Sequence, residues 1–461
     1  MFETATYVNR RKKLTQSIES GLILIMGNVD VPMNYPANTY RFRQDSNFLY
    51  LFGIDHQQMA AIIDAESGHE YLFGNDVSLE SIIWMGPQPL VKDKAERVGV
   101  GNSAPFGQLS EHIKKARNQG RKIHFLPPYR AENKILMSEL LDIPIGELKA
   151  QASAELIKSV VALREIKDLN EIKEIEKAID TAYLMHTTAM NMAKPGTREQ
   201  TIAGTVEGIA ISGGGSLSFP LILSRRGETL HNHDHGNILE KGDLLLVDGG
   251  CETSMRYCSD HTRTIPVGGK FTKKQREIYE IVLEANKKAI EAIKPGVTFK
   301  SIHILAINII GEGLKKLGLM KGNIAEAAEK AATALFMPHG LGHMLGLDVH
   351  DMEDLGENLV GYDDEVKRSD LFGTAYLRLG KRLKPGFVLT VEPGIYFIPA
   401  LIEKWEKEKK FEEYINYDKA REYIGFGGIR IEDDVLVTEA AYRVLGKPIP
   451  KTVAEIEDMM S

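Results

Sequence analysis

Four carboxylates in this chain stand where a charge is costly. Leu244-Leu-Leu-Val247 reads as a buried strand running straight into Asp248, and twelve residues on Asp260 lies within Cys258-Ser-Asp-His-Thr-Arg-Thr-Ile265. Phe387-Val-Leu-Thr-Val391 delivers Glu392 into Pro393-Gly394, and Gly427-Gly-Ile-Arg-Ile431 delivers Glu432, followed by Asp433 and Asp434. A carboxylate at the end of an apolar strand must be paired, hydrogen-bonded or bound to a cation. Taken singly, each aspartate also fits a cap or turn. Histidines accompany the acids: His339 and His343 in His339-Gly-Leu-Gly-His343, His350 in Leu347-Asp-Val-His-Asp351, and His231, His233 and His235 just before the Asp248 strand. Gly340 and Gly342 make a helix poor there, so a loop or glycine-rich strand is expected. Six of the thirteen histidines in two short segments, beside four strand-end acids, point to a metal centre. Carboxylate-rich ligation with one or two imidazoles and no thiolate suits Mn²⁺, Co²⁺, Fe²⁺ or Zn²⁺ rather than a cysteine-rich structural zinc. Four carboxylates and a histidine exceed what one ion needs while leaving a water site. Two ions sharing bridging carboxylates fit better, and the chemistry predicted is hydrolysis.

The elements that must position these groups fall into two parts. Leu22 to Met26, Ala60 to Ile63 and Lys122 to Leu126 are short apolar runs alternating with helix-forming stretches, an α/β rhythm. A polar, Ala-rich passage around Gly146 to Glu155 precedes a long charged helical segment from about Leu156 to Met192. The domain boundary is therefore expected near residue 153, giving domains 1–153 and 154–461. Beyond it, strand-like runs and helices such as Lys273 to Ile293 mix without a βαβ repeat, so the class is α+β. Glu240-Lys-Gly-Asp-Leu-Leu-Leu-Val before Asp248 and Leu383-Lys-Pro-Gly-Phe-Val-Leu-Thr-Val before Glu392 share one pattern, which hints at an internal duplication.

Composition narrows the class. The chain has 461 residues, 43% hydrophobic and 26% charged, the balance of a globular protein with ample core. A net charge of −7 without a basic tract offers no footprint for nucleic acid or an anionic membrane. Cys251 and Cys258 cannot build a disulfide framework, and Leu22 to Met26 is too short for a membrane span or signal segment. The expectation is a soluble, cytoplasmic protein.

These residues make the chain resemble the Xaa-Pro peptidases of the aminopeptidase P and prolidase group. The matching phrases are Val247-Asp-Gly-Gly-Cys-Glu252, Ser259-Asp-His-Thr-Arg-Thr264, His339-Gly-Leu-Gly-His-Met-Leu-Gly-Leu-Asp-Val-His-Asp351, Val391-Glu-Pro-Gly-Ile-Tyr396 and Gly427-Gly-Ile-Arg-Ile-Glu-Asp433. Phe42-Arg-Gln-Asp-Ser-Asn-Phe48 and Ile83-Trp-Met-Gly86 look like the group's smaller α/β N-terminal domain. The resemblance implies a C-terminal pita-bread catalytic domain in which Asp248, Asp260, His343, Glu392 and Glu432 bind two metal ions, most simply Mn²⁺. Asp260 and Glu432 would bridge, with Asp248 on one ion and His343 and Glu392 on the other. It further implies attack of a hydroxide on the scissile carbonyl with Glu392 accepting the proton. His231, His339 and His350 would bind substrate and oxyanion, Arg430 would orient carboxylates, and Tyr396 would assist by hydrogen bonding.

The implied substrate is a peptide with proline second. Its bond has no N–H and a fixed φ, which defeats peptidases that grip an extended backbone. The charged segment Leu401 to Phe411 around Trp405 and the extra loop after His350 resemble prolidases, which take dipeptides only, so the aminopeptidase reading keeps prolidase close behind. Glu403 to Glu413 also fits a plain solvated helix face. Trp84 is implied to reach a neighbouring subunit's active site in a homodimer or homotetramer, against an ordinary partly buried aromatic. Cys251 reads as a small apolar residue. The rival classes are a non-catalytic pita-bread binding module, a creatinase-like hydrolase and a methionine aminopeptidase.

Overall fold

The computed structural model describes residues 1–461. They form two compact units, Met1–Arg164 with Asp354–Leu359, and Glu165–Glu353 with Val360–Ser461. The division falls after Arg164 rather than near residue 153. The long helix expected over Leu156 to Met192 is two helices, Ala154–Arg164 and Leu169–Met192. Asp168 starts the second: its side chain accepts from the Asn170 and Glu171 N–H groups, and Glu171 returns a bond to the Asp168 N–H.

The first unit is built on a five-stranded sheet. Its strands are β1 (Leu22–Met26), β4 (Ala60–Asp64), β5 (Glu70–Gly74), β6 (Asn102–Pro105) and β7 (Ile123–Phe125), in the order β6-β5-β4-β1-β7. An outlying hairpin supplies β2 (Pro32–Tyr35) and β3 (Asn38–Thr39). Every residue of β1 is buried, which is why it reads as an unbroken apolar run. Leu22, Leu24 and Met26 share one cluster with Phe73, Ile113 and Phe125. In Arg10-Arg-Lys-Lys13 the two lysines are exposed, but Arg11 is fully buried on the helix Thr4–Gln16 and donates to Glu70, the Leu51 carbonyl and the Val98 carbonyl.

The second unit carries short strands backed by long helices, as the α+β reading expects. A three-stranded sheet joins β8 (Ile222–Ser224), β9 (Leu244–Asp248) and β10 (Thr262–Pro266), with Asp248 opposite both Ile222 and Thr262. A second sheet joins β11 (Val388–Val391), β14 (Asp433–Val437) and β15 (Tyr442–Val444), while β12 (Gly394–Tyr396) pairs with β13 (Gly428–Arg430). The two repeated phrases fold alike: each enters its strand through a turn whose glycine has positive φ, Gly242 at 95° before β9 and Gly386 at 88° before β11. Val391 lies opposite Asp433 and Gly394 opposite Arg430, so one continuous antiparallel register sets Glu392 directly across from Glu432. Helices Lys273–Glu291 and Phe299–Lys316 pack along one another in the same unit. No helix is long and apolar enough to cross a membrane.

His303, on the second of these helices, is 1% exposed with Nδ1 unpartnered. Burial, helped by Lys300, pushes its pKa down to about 4. Above about pH 6.5, the ordinary histidine value, both folded and unfolded chains hold it neutral. Between there and pH 4 only the unfolded chain takes up the proton, so stability falls by about 1.4 kcal/mol per pH unit from this group. Denaturant titrations across that window should show the slope reduced by this amount in His303→Leu.

Candidate metal centre

Local backbone geometry brings the acids together. Asp248 is the last residue of β9, Asp260 lies two residues before β10, Glu392 follows β11, and Glu432 sits between β13 and β14. The segment His339–His343 is a loop laid along β11. The Glu392 N–H donates to the Leu341 carbonyl at 2.8 Å and the Thr390 N–H to the His343 carbonyl at 3.0 Å. Only glycine fits between them, since a Cβ on Gly342 would come within 2.0 Å of the Thr390 carbonyl oxygen. Glu432 is tied to the β9–β10 sheet by its own N–H, 3.0 Å from the Thr262 carbonyl, and by Thr262 Oγ1, which donates to its Oε2 at 2.8 Å.

Asp260, His343 and Glu432 place ligand atoms within 4.8 Å of one another, a grouping able to hold a metal ion. His343 Nε2 is 3.4 Å from Asp260 Oδ2 and 3.7 Å from Glu392 Oε1. Its Nδ1 lies 3.0 Å from the Met344 carbonyl, which can only accept, so the proton is on Nδ1 and Nε2 turns its lone pair to the acids. Burial lowers the His343 pKa, keeping the ring neutral.

The carboxylates themselves ask for a cation. Asp248 Oδ1 and Asp260 Oδ1 are buried and have no hydrogen-bond partner. Burial first, and then neighbouring negative charges, drive Asp260 and Glu432 well above the usual carboxylate range, and burial pushes Glu392 up to about 7. Oxygen and imidazole donors in a site without thiolate fit hard or borderline divalent ions.

Arg430, on β13, is buried and reaches three partners. Nη2 donates to Asp248 Oδ2 at 2.5 Å, Nη1 to the Tyr396 hydroxyl at 2.7 Å and Nε to Thr262 Oγ1 at 3.1 Å. At 4% exposure it is too deep for a surface ion pair. Because the Tyr396 oxygen accepts from Arg430, its proton turns to His339 Nε2, 2.9 Å away, while His339 Nδ1 serves the Gly340 carbonyl. Burial next to Arg430 holds the His339 pKa down to about 3.

A cavity of about 890 Å³ opens over this cluster, lined by Asp248, Asp260, His343, Glu392, Arg430 and Glu432 at its polar end. His231, His233, His339 and His350 also face it, with Phe219, Ile222, Leu230, Phe372 and Ile398 making the apolar walls. His235 does not line it and instead bonds the Leu223 carbonyl at 2.9 Å. His350 packs its ring 4.2 Å from that of His343 and holds Glu353 Oε2 at 2.5 Å. Glu353 also accepts from Arg378 Nε at 3.1 Å, and despite its burial these bonds hold its carboxyl down to about 2.

Arg378 lines the cavity yet belongs to no phrase noticed in the sequence. The only signal was a lone cation between leucines in Tyr376-Leu-Arg-Leu379. Leu401 and Lys404, from the helix Pro399–Lys407, also line the cavity, while Trp405 of that helix is buried. That helix is therefore more than a solvated face. Trp84 is elsewhere, 79% exposed on the helix Leu79–Met85 of the first unit. Cys251 is buried, with its thiol pushed up to about 11 by that burial, as an inert apolar residue should be.

Comparison with known proteins gives the family. Residues 7–124 match the aminopeptidase P N-terminal domain, and residues 173–439 match metallopeptidase family M24. A probable Xaa-Pro aminopeptidase of Aspergillus terreus is 31% identical over 444 residues, 95% of this chain and 88% of that protein. The Xaa-Pro dipeptidase of Homo sapiens is 30% identical over 464 residues, 98% of this chain and 91% of that protein. Among solved structures, an Escherichia coli aminopeptidase P variant in complex with substrate superposes with a TM-score of 0.82 at 29% identity, covering 100% of this chain and 98% of that one. A zinc-substituted form of the same enzyme with product gives 0.81 at 28% identity, with the same coverage. With relatives spanning nearly its whole length and the buried acids and imidazole brought together as a metallopeptidase requires, the chain belongs to metallopeptidase family M24.

Proposed function

We propose that this metallopeptidase is a dinuclear exopeptidase that hydrolyses the Xaa-Pro bond at the N-terminus of peptides. The observation that carries the reading is that Asp248, Asp260, Glu392, Glu432 and His343 line one end of a single cavity, with Asp260, His343 and Glu432 close enough to share an ion and the Oδ1 atoms of Asp248 and Asp260 buried and unpartnered. Those five residues would hold two divalent ions, with Asp260 and Glu432 shared, and Mn²⁺ is the ion we assign ahead of Co²⁺, Zn²⁺ or Fe²⁺. When bound, such ions supply a nucleophile at neutral pH and polarise the scissile carbonyl.

The protein's own residues do the rest. Glu392, whose side chain is 19% exposed and whose Oε1 lies 3.7 Å from His343 Nε2, is the group we assign to accept and return the proton. Arg430 holds Asp248 by one nitrogen and aims the Tyr396 hydroxyl by another, so the acids and the His339 side of the cavity keep one geometry. His231 and His350 face the same cavity and supply polar contacts along the substrate. None of these groups needs an N–H on the scissile bond, which suits a proline there. Two buried cysteines that form no disulfide suit a reducing compartment such as the cytoplasm.

The dipeptidase reading has an observation of its own. Arg378, about one-third exposed, offers a cation within the cavity to the free carboxylate of a short substrate. The wall there is built by Phe372, whose ring is 5.8 Å from Trp405, with Leu401 and Lys404. The discriminating measurement is kcat/KM for an Xaa-Pro dipeptide and an Xaa-Pro-Xaa tripeptide with the Mn²⁺-reconstituted protein. Turnover of both fits the aminopeptidase. Cleavage of the dipeptide alone makes the chain a prolidase, and cleavage of neither overturns both.

Asp260→Asn and Glu432→Gln should each abolish Xaa-Pro hydrolysis and lower bound metal from two equivalents, read by elemental analysis. Full activity with normal metal content in either variant contradicts the dinuclear reading. The assembly we assign is a homodimer or homotetramer in which the exposed Leu79, Ile83, Trp84 and Met85 meet another subunit. Sedimentation should find Trp84→Asp shifted toward monomer, and an unchanged mass removes this helix from the interface.

A further inference from the structure

The strand pair that presents Glu392 and Glu432 has a gap in its ladder one rung beyond the two glutamates. Its register sets Pro393 opposite Ile431. The Ile431 N–H donates to the Pro393 carbonyl at 3.3 Å. The reciprocal bond cannot form because proline has no N–H, so the Ile431 carbonyl loses its ladder donor one residue before Glu432.

Asn286 fills that gap. It is fully buried on the helix Lys273–Glu291, and its Nδ2 lies 3.0 Å from the Val391 carbonyl oxygen and 3.5 Å from that of Ile431. Val391 and Ile431 are the residues immediately before Glu392 and Glu432. One side-chain amide thus ties together the backbone approaches to both glutamates. Its orientation is set by Lys451, whose Nζ is 2.8 Å from Asn286 Oδ1. An ammonium can only donate, so Oδ1 faces Lys451 and both amide hydrogens are left for the carbonyls. The same Nζ is 2.6 Å from Asp433 Oδ2, and Arg263 Nη2 holds Asp433 Oδ1 at 2.7 Å. Arg263 also donates to the Glu432 carbonyl at 2.6 Å and the Pro450 carbonyl at 3.0 Å, which ties the C-terminal segment to the ligand strand.

We propose that Asn286, held by Lys451, is a positioning residue that sets the spacing of Glu392 and Glu432 across the ladder gap made by Pro393. The proposal rests on the assignment of these two glutamates as ion ligands. Neither Asn286 nor Lys451 lines the cavity, so both act only through the acids.

The test is a Mn²⁺ titration of the chelator-stripped full-length protein by calorimetry, beside kcat and KM for an Xaa-Pro dipeptide. Asn286→Ala and Lys451→Met should each weaken Mn²⁺ binding by about tenfold or more, as loss of a partner behind a ligand does. They should lower kcat while leaving KM within about twofold, the signature of misplaced chemistry rather than lost substrate contacts. Lys451→Arg, which can still donate to both Asn286 and Asp433, should restore wild-type affinity. Wild-type affinity in Asn286→Ala, or an equal loss in Lys451→Met and Lys451→Arg, overturns the proposal. If Asn286→Ala does not fold, the two Lys451 variants decide alone. Failure of the wild-type protein to bind Mn²⁺ would instead sink the metal-centre reading on which the proposal stands.

Discussion

Repulsion among four clustered carboxylates, three of them buried, is the constraint around which the second unit is arranged. Two like charges roughly 4 Å apart at an effective dielectric constant of about 20 repel by about 4 kcal/mol, and Glu392 and Glu432 face each other directly across a strand pair. Burial first, and then repulsion from the neighbouring acids, displaces the pKa values of Asp260, Glu392 and Glu432 upward. A site that prefers to bind protons is equally ready to bind divalent cations. The protein's own cations stand around the acids, Arg430 against Asp248, and Arg263 with Lys451 against Asp433.

Holding such a cluster requires rigid supports. Buried strands rich in Leu and Val end at the acids, so apolar packing on either side resists the splaying that repulsion favours. The loop carrying His343 and His350 is fastened to β11 by backbone bonds. Its far end is fixed by the buried pair Lys167–Asp351, 2.7 Å apart with both side chains 1% exposed. Removing one partner of such a pair would leave the other charge stranded beside His350, which makes the pair a determinant of loop geometry. Lys381 and Lys384 converge on Glu165 in the same unit.

Much of this was legible in the sequence because buried charge is rare enough to be noticed. The apolar runs before Asp248 and Glu392 forecast β9 and β11, and Gly340 and Gly342 forecast a loop or a glycine-rich strand, of which the loop is found. What escaped reading acts through distance in the chain. Arg378 and Asn286 are ordinary residues in their local context, and only the fold brings Arg378 to the cavity and Asn286 behind two ligand strands. The break at Asp168 was hidden because charged helix formers flank it on both sides, and its role as a cap emerges from side-chain geometry. The burial of Arg11 was equally invisible, since its three acceptors come from distant segments.

The central claim is that these acids exist to hold a pair of ions. Its most direct test is the number of metal equivalents retained per chain after chelator stripping, Mn²⁺ reconstitution and gel filtration, measured by elemental analysis alongside Xaa-Pro hydrolysis. The account predicts two equivalents, with activity that disappears on stripping and returns on reconstitution. Full Xaa-Pro hydrolysis by the stripped protein, or a fully active protein holding one equivalent or none, would contradict it.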